Sequence, residues 1–282
     1  MQKVLVTGAA GQLAGAIIER FTGNAELLAC SRRELDVTDT RAVLDCVSTF
    51  LPDIIINCSA YNNVDGAEDD PVAALDVNAL AVRTLGRAAR SRDAVLVHYS
   101  TDFVFDGRST RPYTEEDEPR PESVYAASKL LGEWFAREAP RAFVLRVESL
   151  FGGLVPKSSI DRIIDALVDG RETRAFVDRT VSPSYVVDVA AATKALIEHG
   201  EPGLYHCVNT GFTTWYELAR EIASQLGRDG SIVPISVKDL QLAAQRPQYA
   251  ALSNQKLEQA GARMPPWQDA LARYLRWRGV RS

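Results

Sequence analysis

Five short apolar runs punctuate the first half of the chain: "KVLVTG", "ELLACS", "DIIINCS", "AVLVHYSTD" and "RAFVLRVES". Their Val, Ile and Leu positions are nearly continuous rather than alternating, which predicts strands buried on both faces. Between them lie "GQLAGAIIERF", "TRAVLDCVSTF", "PVAALDVNALAVRTLGRAARS" and "VYAASKLLGEWFAREA", where apolar residues recur at helical spacing. Strand and helix alternate for about 150 residues, the order of a parallel sheet wrapped by helices; segregated α+β elements would not give it. After Gly152 the pattern loosens. "SSIDRIIDALVDG" and "TTWYELAREIASQLG" read as helices, the second behind a Thr-rich N-cap. "RAFVDRTVSPSYVVDVAAATKALIEHG" reads as a loop and short strand leading into a helix, and "PPWQDALARYLRWRG" as a last helix. The expected fold is α/β: a Rossmann-type doubly wound parallel sheet over residues 1–150, to which 176–199 returns. Residues 151–175 and 200–282 would form a smaller, mixed α/β region.

Composition narrows the function classes. A chain of 282 residues is long enough for one large domain or a main domain with a smaller companion. Hydrophobic residues at 46% and charged residues at 24% match a soluble globular protein. A net charge of −5 argues against nucleic acid or an anionic membrane as partner. No apolar run approaches the roughly 18–20 residues that span a bilayer. "MQKVLVTGAAG" enters a strand pattern without a signal-peptide hydrophobic region, so a cytoplasmic location is expected. Cys30, Cys46, Cys58 and Cys207 show no CxxC spacing, and the three histidines form neither HxxxH nor HExxH. Neither a disulfide framework nor a metal site is expected.

The first strand runs into "TGAAGQLAGAII". Gly8 and Gly11 have G-x-x-G spacing: the first suits a tight turn, the second lets backbone approach a pyrophosphate at the helix N-terminus. Ala10, Gln12 and Leu13 complete this expected cofactor wall, and Ala14 or Gly15 takes the place of a third glycine. At the end of the second strand stand Ser31, Arg32 and Arg33. Hydroxyl and guanidinium groups there suit a ribose 2′-phosphate, whereas an acid would suit a free 2′-hydroxyl, so NADP(H) is favoured over NAD(H).

With "TGAAGQL", "ELDVTD", "PDIIINCSAYNNVDGAE", "VHYSTDFVFDG", "PYTEEDEPRPESVYAASKLLGE", "SPSYVVDVA" and "QRPQYAAL" in this order, the chain resembles the extended short-chain dehydrogenase/reductase superfamily. Within it, nearly the whole chain is similar to the dTDP-4-dehydrorhamnose reductases. The resemblance implies Thr101, Tyr125 and Lys129 as a catalytic group. It further implies Asp36 and Val37 beside the adenine, Cys58, Ser59 and Ala60 along the pyrophosphate and ribose, and Asn78 and Ser100 nearby. Tyr125 and Lys129 lie four apart on one helix face. The chemistry is sound: an ammonium favours the phenolate and lowers the proton affinity of a phenol that must serve a carbonyl oxygen. Thr101 would align that oxygen.

Related enzymes share the same three residues, so the reaction must be read from the rest of the site. Nucleotide-sugar 4,6-dehydratases carry Asp-Glu after the threonine; here Asp102 is followed by Phe103, so the dehydrating pair is missing. Reductive epimerases need an extra Cys and His, but Cys58 belongs on the cofactor side and His98 lies within a strand. A ketone reductase of a nucleotide-linked 6-deoxysugar remains, or a reductase of another small ketone. The family also includes an NADP-binding regulatory subunit of methionine adenosyltransferase, which lacks the family tryptophan as this chain does. That tryptophan falls within "LRVESLFGG", where Glu148 and Ser149 stand instead. These two offer polar contacts to the substrate, or Glu148 pairs structurally with Arg146. Asp102, Phe103 and Arg246 join them as expected substrate contacts, Arg246 either binding diphosphate or tying down the C-terminal segment. Arg179 is a further candidate, while Trp215 reads as a helix-start packing residue. A homodimer is a family-level expectation.

Overall fold

The computed structural model describes residues 1–154, 156–228, 231–240 and 242–280. The chain begins with β1 (Gln2–Thr7), α1 (Gln12–Phe21), β2 (Ala25–Cys30), α2 (Thr40–Phe50) and β3 (Ile54–Asn57). Then α3 (Gly66–Asp69), α4 (Pro71–Leu75), a π-helical turn at Asp76–Leu80 and α5 (Ala81–Arg92) lead to β4 (Val95–Thr101). A long loop and α6 (Val124–Ala136) join β4 to β5 (Ala142–Val147). Next come β6 (Leu150–Phe151), α7 (Ser159–Val168), β7 (Thr173–Phe176), β8 (Thr180–Val181), β9 (Ser184–Tyr185) and α8 (Val186–His199). The last elements are β10 (Gly203–His206), β11 (Thr213–Thr214), α9 (Trp215–Gln225), β12 (Ile232–Ile235), α10 (Gln255–Gln259) and α11 (Trp267–Trp277).

Six strands form one parallel sheet in the order β10-β5-β4-β3-β1-β2. The winding direction reverses between β1 and β3, which opens a crevice beyond their C-terminal ends. Both faces of the strands are covered. Val4, Val6, Ile54, Ile56, Val97 and Leu145 face α1 and α8, while Leu5, Ile55, Leu96 and Val144 face the opposite helices. A separate core of Phe151, Ile160, Ile164, Leu218, Ile222, Leu271 and Tyr274 builds the smaller region from α7, α9 and α11. The boundary with the main sheet differs from the sequence expectation on both sides: Phe176, Val181 and Tyr185, expected in the main domain, pack in the second core. Residues 203–206 leave the second region and pair with β5 as the sixth strand.

Three local features fix the crevice. Gly8 has a φ of 66°, and a Cβ there would lie 2.8 Å from the backbone of Cys58 and Ser59. Only glycine lets the β1–α1 turn close against β3 in this way. Gly15 has nothing within 4 Å of such a Cβ, so it is not the third packing glycine; fully buried Ala14 lies on the core side instead. The run expected as one helix, residues 71–91, is broken by the π turn, and Asn78 is buried at its centre.

The third feature is a fully desolvated ion pair. Arg146 of β5 donates to both carboxylate oxygens of Glu133 on α6, at 2.8 and 2.7 Å. Ser100 of β4 donates to the same carboxylate at 2.6 Å, and the Arg146 guanidinium lies 4.9 Å from the Phe105 ring centre.

Gly8→Ala should cost about 1–3 kcal/mol of stability, because the left-handed turn and the close approach are both lost. Gly15→Ala, in an open helical position, should instead stabilise by roughly 0.5–1 kcal/mol. Urea unfolding of the two variants measures the contrast. Removing one partner of the buried pair, as in Glu133→Ala, should cost about 3–5 kcal/mol, and replacing both partners by apolar residues considerably less. The same unfolding experiment checks this.

Candidate active site

A cleft of about 460 Å³ opens at the C-terminal edge of the sheet, between the main sheet and the smaller region. Its floor is made by β4 and α6. Thr101 ends β4, and Tyr125 and Lys129 occupy successive turns of α6, all three buried. Helix α6 is held at its start by Ser123, whose side chain accepts from the Ala126 amide, and by Glu68, which accepts from the Val124 amide at 2.9 Å. Gly132 lets the same helix rest directly on the π turn, since a Cβ there would sit 2.2 Å from the Asn78 carbonyl oxygen.

The electrostatics differ from the simple expectation of an ammonium lowering the phenol. Burial and the nearby Asp102 carboxylate raise the Tyr125 proton affinity well above the ordinary phenol value, and the Thr101 hydroxyl only partly opposes them. The phenol is therefore held protonated. Lys129 donates to the Tyr99 carbonyl at 2.5 Å, and burial lowers its pKa to about 8 although Glu133 pulls upward.

Asp102 and Glu148 form the polar wall beside this group. Asp102 Oδ1 accepts from Thr101 Oγ1 at 2.9 Å, and Glu148 Oε2 accepts from the Ser182 amide at 2.7 Å. The second oxygen of each is buried without a hydrogen-bond partner. Burial raises Asp102 to about 6, with Arg179 opposing, and drives Glu148 well above the ordinary carboxylate range, with Asp102 adding to the rise. Glu148 does not pair with Arg146, which is taken by Glu133. Phe103 packs edge-on to Tyr125 at 5.5 Å between ring centres, with the Arg179 guanidinium 5.6 Å from its own centre. Ser149 holds a left-handed φ of 44° where the chain turns out of β5.

The expected cofactor residues divide into wall and support. Gly11, Gln12, Leu13, Cys58, Ala60 and Ser100 line the cleft with Tyr125 and Lys129. Gln12 also donates to the Gly152 carbonyl across the cleft, and Gly11 caps α1 with no side-chain partner. Gly8 and Ala10 shape the turn beneath. Ser59 is committed to a knot that joins β1 to β3, donating to Thr7 at 3.0 Å and to Asn57 at 3.1 Å. Asn78 is a positioning residue and does not face the cleft. It bonds Tyr61 through both backbone groups and donates to Ser128, whose hydroxyl in turn holds the Tyr125 carbonyl. Asp36 braces the following turn through Thr38, and Val37 is buried. Arg32 and Arg33 are exposed at the β2 end, Arg32 making only a 3.4 Å contact to Asp36. The Ser31 amide donates to Glu34 at 2.7 Å, an acid that the sequence reading passed over.

Arg246 does not reach the cleft. Its guanidinium grips Asp65 at 3.0 and 2.6 Å, so it ties the C-terminal segment to the loop that carries Asn62 and Val64. Of the two roles expected for it, the fork favours tying down the C-terminal segment over binding diphosphate. Besides Lys129, the cationic groups that line the cleft are Lys157, just before α7, Arg162 within it, and Arg179. Lys157 and Arg162 were missed because nothing in "PKSSIDRII" separates a cleft-facing helix start from a solvated one. Trp215 is both a packing residue of the second core and a wall of the cleft. It stands, with Ser159, Arg162 and Arg179, where the cleft meets a second cavity of about 320 Å³ that also holds Phe176. Among the described residues there is no cluster of metal-ligating side chains and no helix long and apolar enough to cross a membrane.

Residues 1–278 match the family model described as RmlD substrate binding domain. The spore coat polysaccharide biosynthesis protein SpsK of Bacillus subtilis (strain 168) is 32% identical over 279 residues, covering 99% of this chain and 98% of that protein. The dTDP-4-dehydrorhamnose reductase of Mycobacterium tuberculosis (strain ATCC 25618 / H37Rv) is 35% identical over 281 residues, covering 96% and 91%. The crystal structure of dTDP-4-dehydrorhamnose reductase from Bacillus anthracis str. Ames in complex with NADP superposes with a TM-score of 0.94. The identity to it is 32%, covering 98% of this chain and 100% of that one. By sequence over almost its full length, and by the doubly wound fold that carries the cleft, this chain belongs to the RmlD substrate binding domain family.

Proposed function

We propose that this chain is an oxidoreductase that uses NADPH to reduce the 4-keto group of a nucleotide-linked 6-deoxysugar. The observation that carries the reading is the meeting of Thr101, Tyr125 and Lys129 on the floor of one cleft. That cleft has a backbone phosphate cradle at one end and cationic side chains at the other. The names of the dTDP-4-dehydrorhamnose reductases among its relatives support the substrate class.

The cofactor fits the residues present. The β1–α1 turn comes so close to β3 that a side chain at Gly8 would fill the cradle, and the N-terminus of α1 is left without a side-chain cap. Its free N–H groups suit a pyrophosphate. Arg32 and Arg33, exposed at the surface, suit a 2′-phosphate, and Lys129 would hold the ribose hydroxyls. When bound, the reduced nicotinamide supplies a hydride to the carbonyl carbon. Tyr125, kept protonated by its surroundings, gives its proton to the carbonyl oxygen, so that C=O becomes CH–OH. Thr101 orients that oxygen. Lys157 and Arg162 suit the sugar's diphosphate, and the adjoining cavity with Phe176 and Trp215 suits the base.

The test is consumption of NADPH, followed by absorbance, with dTDP-6-deoxy-L-lyxo-4-hexulose. Turnover is expected with NADPH and more weakly with NADH. Tyr125→Phe should lower kcat by about 10²–10⁴-fold while leaving NADPH affinity nearly intact. Tight NADPH binding without turnover would turn the reading toward the regulatory subunit or another ketone.

Lys129 sets a pH limit. Its ammonium is lost as pH rises through about 8, so kcat/KM should fall above that point. Stability responds in the opposite sense. Between about 8 and the ordinary 10.5 the unfolded chain binds this proton more tightly than the folded one, so the residue's contribution to stability rises with pH. Parallel pH profiles of rate and of urea midpoint, in the protein and in Lys129→Met, separate the two effects.

A further inference from the structure

Eight buried side-chain polar atoms among the described residues have no hydrogen-bond partner, and four of them belong to residues of this one cleft. They are Asp102 Oδ2, Glu148 Oε1, Arg179 Nε and Trp215 Nε1. A buried polar atom left unpaired costs about 1–3 kcal/mol, so a concentration of them at a ligand cleft points to groups that the ligand brings.

The two carboxyl groups are placed most informatively. Each is anchored through one oxygen, Asp102 on the Thr101 hydroxyl and Glu148 on the Ser182 amide, which sets the direction of the other. Both are at least nine-tenths buried, and Asp102 lies close enough to raise the proton affinity of Glu148. Burial raises both groups, and the Asp102 carboxylate pushes Glu148 up further, which makes Glu148 the donor of the pair and Asp102 the acceptor. Both residues line the same cleft, so one ligand meets a donor and an acceptor, which is what a sugar hydroxyl requires, since it accepts one hydrogen bond and donates another. The location narrows it further. Asp102 holds the very threonine that would orient the reacting carbonyl, so the hydroxyl it reads belongs on a ring carbon next to that carbonyl. In a 4-keto-6-deoxysugar one neighbouring carbon carries the methyl branch and the other carries the 3-hydroxyl.

We infer that Glu148 and Asp102 form a subsite for the hydroxyl at C3 of the keto sugar, and that Glu148 makes the enzyme reject sugars lacking it. This rests on the reductase reading proposed above. A site built to pair a substrate hydroxyl discriminates strongly against the analogue without it, because its own buried groups are left unpaired; an apolar wall in the same place discriminates weakly.

The experiment measures kcat/KM with NADPH for a dTDP-4-keto-6-deoxyhexose and for its 3-deoxy counterpart, in the unaltered protein, Glu148→Gln and Glu148→Ala. The unaltered protein should favour the 3-hydroxy sugar by about 100-fold or more. Glu148→Ala should shrink the preference to below about tenfold, mainly by losing rate on the hydroxylated sugar, and Glu148→Gln should retain most of it because an amide still donates. Oxidation of NADPH at rates within about threefold for both sugars in the unaltered protein would overturn the subsite and leave the reductase standing. A preference for the 3-amino-3-deoxy sugar over the 3-hydroxy sugar would overturn it too, since the carboxyl pair would then be a cation site. Failure to oxidise NADPH with any of these sugars would remove the reductase reading and the subsite with it.

Discussion

Everything around the cleft hangs on the Arg146–Glu133 pair. Glu133 lies one helical turn beyond Lys129 on α6, Arg146 two residues before Glu148 on β5, and Ser100 immediately before Thr101 on β4. One desolvated carboxylate therefore sets the relative position of the three elements that carry the floor and polar wall of the site. Such a pair repays its desolvation only with good geometry and further hydrogen bonds. Here the fork is bidentate, Ser100 supplies another donor, and Phe105 covers the guanidinium.

The two ends of the cleft are built by different physics. At the α1 end the contacts available are backbone N–H groups, made accessible because Gly8 permits a turn that no other residue would. Such a site needs few charged side chains and tolerates a chain that is acidic overall. At the other end the groups are side chains just after β5, just before β8 and at the starts of α7 and α9. Several of these are buried with hydrogen-bonding capacity unused. Backbone recognition carries a common chemical group such as a pyrophosphate, whereas unused side-chain capacity discriminates between similar ligands. The departure at Glu148 and Ser149 from the tryptophan of the family falls in the second half.

Asn78 shows how far support extends behind the wall. From inside a π turn it clamps the loop beginning at Tyr61 and, through Ser128, the first turn of α6. A π turn inserts the extra residue that lets one side chain face two elements at once, a common device beside functional sites. Arg246 does similar work from the far end of the chain, holding the loop at Asp65 from outside.

The strands, the crossover helices, the G-x-x-G turn and the Tyr125–Lys129 pair were readable from local pattern alone, because periodicity and glycine spacing are local properties. The same information placed Thr101 at a strand end, whereas Cys58 beside the cofactor turn was implied by the family resemblance. It did not distinguish Glu148 bound to Arg146 from Glu148 with a free oxygen, because the deciding partner, Glu133, is on another element. Nor did it say whether Arg246 faces a phosphate or Asp65, since a guanidinium fork fits both anions equally. The direction of the Tyr125 shift was also out of reach. An ammonium four residues away is visible in the string, but the burial and the Asp102 carboxylate that outweigh it arise only when β4 and α6 pack together. Chain neighbours decide what a residue can be; desolvation and partners brought from elsewhere decide which of those things it is.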